Sequence, residues 1–175
     1  FYWVYVQCLD GVSKISILGL INVASTSNKT AMTALQKGVE LLARREHSQH
    51  ELQQKLIEKG FEANDVYAAI ERFLERDYLS DERYAAQIVR LRISQGKGPV
   101  KIKSDLRFKG VSTLIIDAAL ADYEHEYWCQ LALEVYQKKF GIEIANEPKM
   151  RARWHRFLAS RGFQYDQFPA SGGFD

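Results

Sequence analysis

The side chains in this sequence best suited to chemistry are cations, and that chemistry is electrostatic binding. Arg90, Arg92, Lys97, Lys101, Lys103, Arg107 and Lys109 crowd one stretch, and Lys149, Arg151, Arg153, Arg156 and Arg161 crowd another. Residues 81–110 carry 8 Lys/Arg against 3 Asp/Glu, and residues 148–161 carry 5 against none. Elsewhere the sign reverses, with 7 against 9 over residues 34–80 and 2 against 7 over residues 111–147. The net charge of +2 thus conceals alternating blocks. Basic blocks suit phosphate or acidic protein surface, and acidic blocks suit basic surface. Within a helix over 99–109, Lys103 and Arg107 share a face away from the Ile102 and Leu106 stripe. Arg153 lies opposite the stripe of Trp154 and Leu158. A solvated helix face accounts for any single cation. Five on one helix without an acid repel one another unless something neutralises them.

Other reactive side chains form no catalytic pattern. His47, His50, His125 and His155 lack a metal-ligand motif, and Cys8 and Cys129 form no CxxC pair. Gln95-Gly96-Lys97-Gly98-Pro99 has neither the spacing nor the preceding strand of a phosphate loop, and reads as a helix-breaking linker. No Ser or Cys sits in a nucleophile motif. The expectation is a protein that is not an enzyme, with no cofactor and no metal. Arg44 and Arg45 near a helix C-terminus, and Asp81 and Glu82 in a first turn, have dipole explanations.

The elements that would carry the cations follow from a repeated phrase. Leu52-x3-Leu56-x2-Lys59-Gly60-Phe61 recurs as Ile102-x3-Leu106-x2-Lys109-Gly110-Val111 and as Trp154-x3-Leu158-x2-Arg161-Gly162-Phe163. Such recurrence marks a modular array in which each unit takes part of its core from the next. Leu35, Val39 and Leu42 predict a helix over 32–46. Ser48-Gln49-His50-Glu51 predicts a capping box, with Glu51 reaching back to the helix start. Gly60 stops that helix, and Asn64 or Asp65 opens a third with Val66, Ile70 and Phe73 inward. In the second module Ser80 caps a helix bearing Tyr84, Ile88 and Leu91, Pro99 starts the next, and Ser112 caps one with Ile116, Ala119 and Leu120 inward. In the third, Leu131, Ala132 and Val135 fill one helix, Pro148 opens another, and the last is cut short after Tyr165 and Phe168.

The expected fold is all-α: an elongated tandem array of three three-helix modules over 32–79, 80–123 and 124–170, with a frayed tail over 171–175. Residues 1–31 stand outside the plan. Asp10-Gly11 between two apolar, partly β-branched runs suggests a hairpin, which alone would be marginal in water. With no basic start and no initiator Met at position 1, a secretory signal is not expected, and Met32 is a natural start for the helical part. No apolar run reaches the roughly 18 residues needed to span a bilayer, so a cytoplasmic protein without membrane contact is expected.

Several strings go beyond helical grammar. Leu41-Leu42-Ala43-Arg44-Arg45-Glu46-His47-Ser48, with Glu51-Leu52 and Lys59-Gly60-Phe61, resembles the opening module of the bacterial regulatory protein family RecX. Tyr78-Leu79-Ser80-Asp81-Glu82-Arg83-Tyr84-Ala85 is similar to the family's next signature. So are Gln95-Gly96-Lys97-Gly98-Pro99 with Lys109-Gly110, then Lys138-Lys139-Phe140, then Phe157-Leu158-Ala159-Ser160-Arg161-Gly162-Phe163. The strings keep family order from Leu35 to Phe163. The resemblance implies a regulator of the recombinase RecA that binds the RecA–DNA filament and restrains its ATPase, strand-exchange and co-protease activities. It thereby implies a role in recombinational repair and the SOS response, with no catalytic site. A monomer is expected, with non-specific contact to single- or double-stranded DNA as a secondary property. Residues 1–30 and the short final helix depart from the family pattern.

The alternative is a helical protein that acts directly on DNA, since three-helix modules can imitate helix-turn-helix units. Acidic or neutral helices after the first two glycines, over 64–76 and 112–122, count against insertion into a groove. A general helical-repeat scaffold is a third reading. Replacing Lys97, Lys101 and Arg107 with Glu is expected to weaken filament inhibition without unfolding the chain.

Overall fold

Each of the three glycines in the repeated phrase ends a helix with its backbone in the left-handed region, at φ 87° for Gly60, 76° for Gly110 and 90° for Gly162. The following amide reaches back five residues: Phe61 N to Leu56 O, Val111 N to Leu106 O and Phe163 N to Leu158 O, at 3.3, 3.1 and 3.2 Å. A side chain at φ > 0 is strained, and glycine has none. The computed structural model describes residues 32–142 and 147–169.

Eight α-helices run through the described residues: α1 Ala34–Leu42, α2 Gln49–Glu58, α3 Ala63–Glu75, α4 Asp81–Ser94, α5 Pro99–Phe108, α6 Thr113–Leu120, α7 His125–Phe140 and α8 Pro148–Arg161. A single 3-10 turn, Tyr165–Gln167, stands where a ninth helix would. The all-α expectation holds. The proposed hairpin in residues 1–31, Cys8 and the 171–175 tail lie outside the described residues.

Local signals set most helix ends. Ser48, Ser80 and Ser112 each accept an amide from three residues on, and Pro99 and Pro148 open their helices. Three expectations need correction. α3 begins at Ala63 after Glu62 rather than at Asn64 or Asp65. Leu91 is 46% exposed, because α4 turns Tyr84, Ala85 and Val89 inward instead. Glu51 does not close the capping box, since its carboxylate is held by cations from elsewhere in the fold.

The interior divides unevenly. Leu52, Leu56, Val66, Ile70, Phe73 and Leu79 form one core around α1–α3. The first two α-helices pack on α3, and Gly38 lies so close to the Phe73 ring that a Cβ there would collide with it. α4–α8 share a second core, in which Tyr84, Ile102, Leu106 and Ile116 join Trp128, Tyr136, Trp154 and Leu158. Tyr136 and Trp154 meet edge to face with ring centroids 5.4 Å apart. The sharing of core between neighbouring modules thus applies to the second and third. The first keeps its own.

Candidate partner-binding surface

The first and second modules meet through polar atoms. Ser48, the N-cap of α2, donates its hydroxyl to Lys109 O at the end of α5 (2.6 Å). Gln49 N donates to Asp81 Oδ1 from the first turn of α4 (2.9 Å). Asp81, expected to serve its own helix dipole, also caps α2 across the junction. Glu51 lies at the centre: both its oxygens accept from Arg45 at 2.9 Å, Lys109 Nζ lies at 3.1 Å and Lys55 Nζ at 3.6 Å. Burial alone would raise this carboxyl, but the Arg45 and Lys109 hydrogen bonds outweigh it and hold the pKa at about 2. His47 is buried beside it, with Nδ1 3.0 Å from Arg45 O and Nε2 3.1 Å from Lys55 Nζ. Burial, then the Arg45 charge, push the imidazole pKa down. A neutral ring that donates from Nδ1 and accepts from Lys55 satisfies both contacts.

The second and third modules meet backbone to backbone. Gly98 N and Val100 N donate to Arg161 O and Gly162 O, at 2.9 and 3.0 Å. Arg161 Nη1 donates to Gln95 O (2.9 Å). Any Cβ on Gly98 would strike the Gly162 carbonyl, and one on Gly162 would strike the Lys101 backbone. Val135 fills the space beside Gly96, extending the shared core to the linker. The Gln95–Pro99 string is therefore a docking seam.

These junctions sort the predicted cations. Lys109 and Arg161 are part of the seams. Arg92 and Lys101 converge on Asp105 at 2.8 and 3.0 Å, and Lys103 pairs with Asp117 at 2.8 Å. In contrast, Arg90, Lys97, Arg107, Lys149, Arg151, Arg153 and Arg156 have no ion pair among the described residues. All of these except the half-buried Lys97 are exposed. Arg153 lies 6.0 Å from the Phe140 ring centroid, within cation–π reach. Arg90, Lys97 and Arg107 come from the second module and the other four from α8.

Between α4 and α5 the fold leaves a cleft of about 310 Å³, lined by Tyr84, Ile88, Arg92, Lys101, Ser104, Asp105, Phe108 and Lys109. Phe108 stands at its edge 83% exposed, next to Arg107. Sequence reasoning passed over Phe108 because an apolar residue in a helix reads as core. Here the ring instead lies open to solvent between Arg107 and Lys109.

A second constellation was also missed. Cys129 Sγ lies 3.3 Å from His125 Nε2, and His125 Nδ1 lies 3.8 Å from Asp166 Oδ2. The helical spacing of His125 and Cys129 was readable, but Asp166 arrives only through the fold. Burial, then Glu126 and Asp166, push the Cys129 thiol up, so it remains protonated near neutrality and is a poor nucleophile. No group of three or more His, Cys, Asp or Glu among the described residues is arranged to hold a metal. No helix among them is long and apolar enough to cross a membrane.

Comparison with known proteins agrees with this geometry. Residues 34–73, 80–120 and 125–168 match the family models described as the first, second and third three-helix domains of RecX. The chain is 39% identical over 144 residues to the regulatory protein RecX of Vibrio campbellii (strain ATCC BAA-1116), covering 82% of this chain and 92% of that one. It is 35% identical over 143 residues to the RecX of Xanthomonas axonopodis pv. citri (strain 306), covering 82% and 88%. A crystal structure of RecX from Lactobacillus salivarius shares the fold, with TM-score 0.66 at 21% identity over 77% of this chain and 88% of that one.

Proposed function

The chain belongs to the RecX family of regulatory proteins, and on that premise we propose that it binds the RecA–DNA filament and inhibits its ATPase, strand-exchange and co-protease activities. In this reading it tunes recombinational repair and the SOS response as a cytoplasmic, monomeric, non-catalytic protein, and its reach to DNA is non-specific. The observation that carries the reading is the division of the cations. Arg92, Lys101, Lys103, Lys109 and Arg161 serve the fold. Arg90, Lys97, Arg107, Lys149, Arg151, Arg153 and Arg156 keep their charge unmatched among the described residues. Charge left open on two modules is what a clamp on a polyanionic or acidic polymer needs.

The test is RecA ATPase on single-stranded DNA with this protein substoichiometric, beside direct binding to bare DNA. Inhibition with weak bare-DNA binding supports the filament reading. Tight, sequence-selective duplex binding would support direct action on DNA instead, and no effect on either would leave a scaffold. The informative variant is Arg90→Glu/Lys97→Glu/Arg107→Glu. Lys101 is left out because its ion pair with Asp105 ties it to the fold. Inhibition should fall at least about tenfold, the equivalent of roughly 1.4 kcal/mol, with the thermal midpoint unchanged. Where phosphate contacts contribute, log affinity falls with log salt by about 0.7 per neutralised single-strand phosphate.

A further inference from the structure

The end of α2, at Lys59 and Gly60, repeats a docking element that the chain uses twice elsewhere. At the end of α5, Lys109 O accepts from the N-cap Ser48 of α2, and a Cβ on Gly110 would strike His50 in that helix's first turn. At the end of α8, Arg161 O and Gly162 O accept from Gly98 N and Val100 N at the start of α5. In both places a helix end of the form cation-glycine seats on the amino-terminal turn of another helix. The opposed partial charges of the two ends favour this arrangement, as do the unmet amides and carbonyls.

α2 ends in the same geometry. Gly60 has φ 87°, Gly60 N reaches Ile57 O at 2.8 Å and Phe61 N reaches Leu56 O at 3.3 Å. Gly110 and Gly162 have counterparts to both bonds. Yet a Cβ on Gly60 would meet nothing within 4 Å among the described residues. Lys59 has no ion pair among the described residues, and Ile57 beside it is 41% exposed.

The start of α8 in a second copy would not reproduce the two filled sites. The matching position would be the first turn of α8, but α8 starts early. Leu52 and Ile102 follow their N-caps Ser48 and Gly98 by four residues, whereas Trp154 follows Glu147 by seven. The counterpart of Val100 is therefore Ala152, inside the helix, and Arg151 N already donates to Glu147 O (2.9 Å).

We propose that the Ile57–Lys59–Gly60 end of α2 is a docking site for the amino-terminal turn of a helix in the filament protein. The occupant's chemistry is read from the two filled sites. It presents free amides or an N-cap hydroxyl to the Lys59 and Gly60 carbonyls, and an acid within a turn for Lys59, as Glu51 does for Lys109. The proposal rests on the filament reading above and adds a contact in the first module to the cations of the second and third.

The test is affinity of the full chain for RecA assembled on single-stranded DNA, with Ile57→Glu/Lys59→Glu against wild type. Both positions are exposed, so helicity and thermal midpoint should hold. Affinity should drop at least about tenfold. A photo-crosslinking residue at position 57 of the otherwise unaltered chain should join to the first turn of a helix in the filament protein. Equal affinity of variant and wild type overturns the site, as do crosslinks confined to DNA or to a second copy of this chain. If wild type itself fails to bind the filament, the functional reading falls and takes the occupant with it.

Discussion

The two junctions join modules of the same design by opposite means. Between the first and second modules the contact is ionic and side-chain mediated, with Glu51 gathering Arg45, Lys55 and Lys109. Between the second and third it is a backbone seam at Gly98 and Gly162 over a common apolar core. Ion pairs depend on pH and ionic strength, whereas buried apolar area responds little to either. The array is thus expected to yield at its first joint and hold at its second.

The largest effect should come from Trp154→Ala. It leaves a cavity in the shared core, costing about 3–5 kcal/mol, and hydrogen exchange should quicken across α4–α8 together. Exchange confined to α7 and α8 would show that the two modules are not one cooperative unit. Glu51→Gln should cost about 1–3 kcal/mol, since it leaves three cations without their carboxylate. Its signature is faster exchange in α2 with α7 and α8 unchanged. Uniform loss across all helices would remove the distinction between the joints.

Acid should act at the same joint. His47 has its pKa lowered in the fold, so the unfolded chain takes up the proton first, and stability declines as pH falls below about 6.5 toward the folded value. Glu51 is also lowered, to about 2 from 4.5, so its contribution is complete above about 4.5 and disappears between there and 2. Thermal midpoints of wild type and Glu51→Gln should converge across that lower window. Parallel curves down to pH 2 would contradict the assignment. The smallest effect is ionic strength. Raising salt to about 1 M shortens the screening length to roughly 3 Å, which should loosen α2 against α5 slightly and leave the Gly98–Gly162 seam intact by exchange.

What the sequence disclosed was local. Serine N-caps, prolines at first turns and glycine stops depend on neighbours within four residues, so α2, α4, α5, α6 and α8 could be read with their starts. Leu91 failed because α4 chooses its buried face by what it packs against, and Val89 won that place. Glu51 failed similarly: its spacing predicted a capping box, but Arg45 takes both its oxygens and Lys109, 58 residues away, adds a further contact. The site was legible by residue type and not by availability. Nothing near Lys103 in sequence announces Asp117, and nothing near Arg92 announces Asp105. Phe108 was hidden because a helical phenylalanine is usually interior.

The early start of α8 has a consequence for how that helix end is held. Its first turn contains no acid, Glu147 makes no side-chain cap, and Lys149 and Arg151 stand beside the positive pole of the helix. That terminus lacks the serine cap and first-turn acid that hold the starts of α2 and α4, so its amides draw no support from its own side chains.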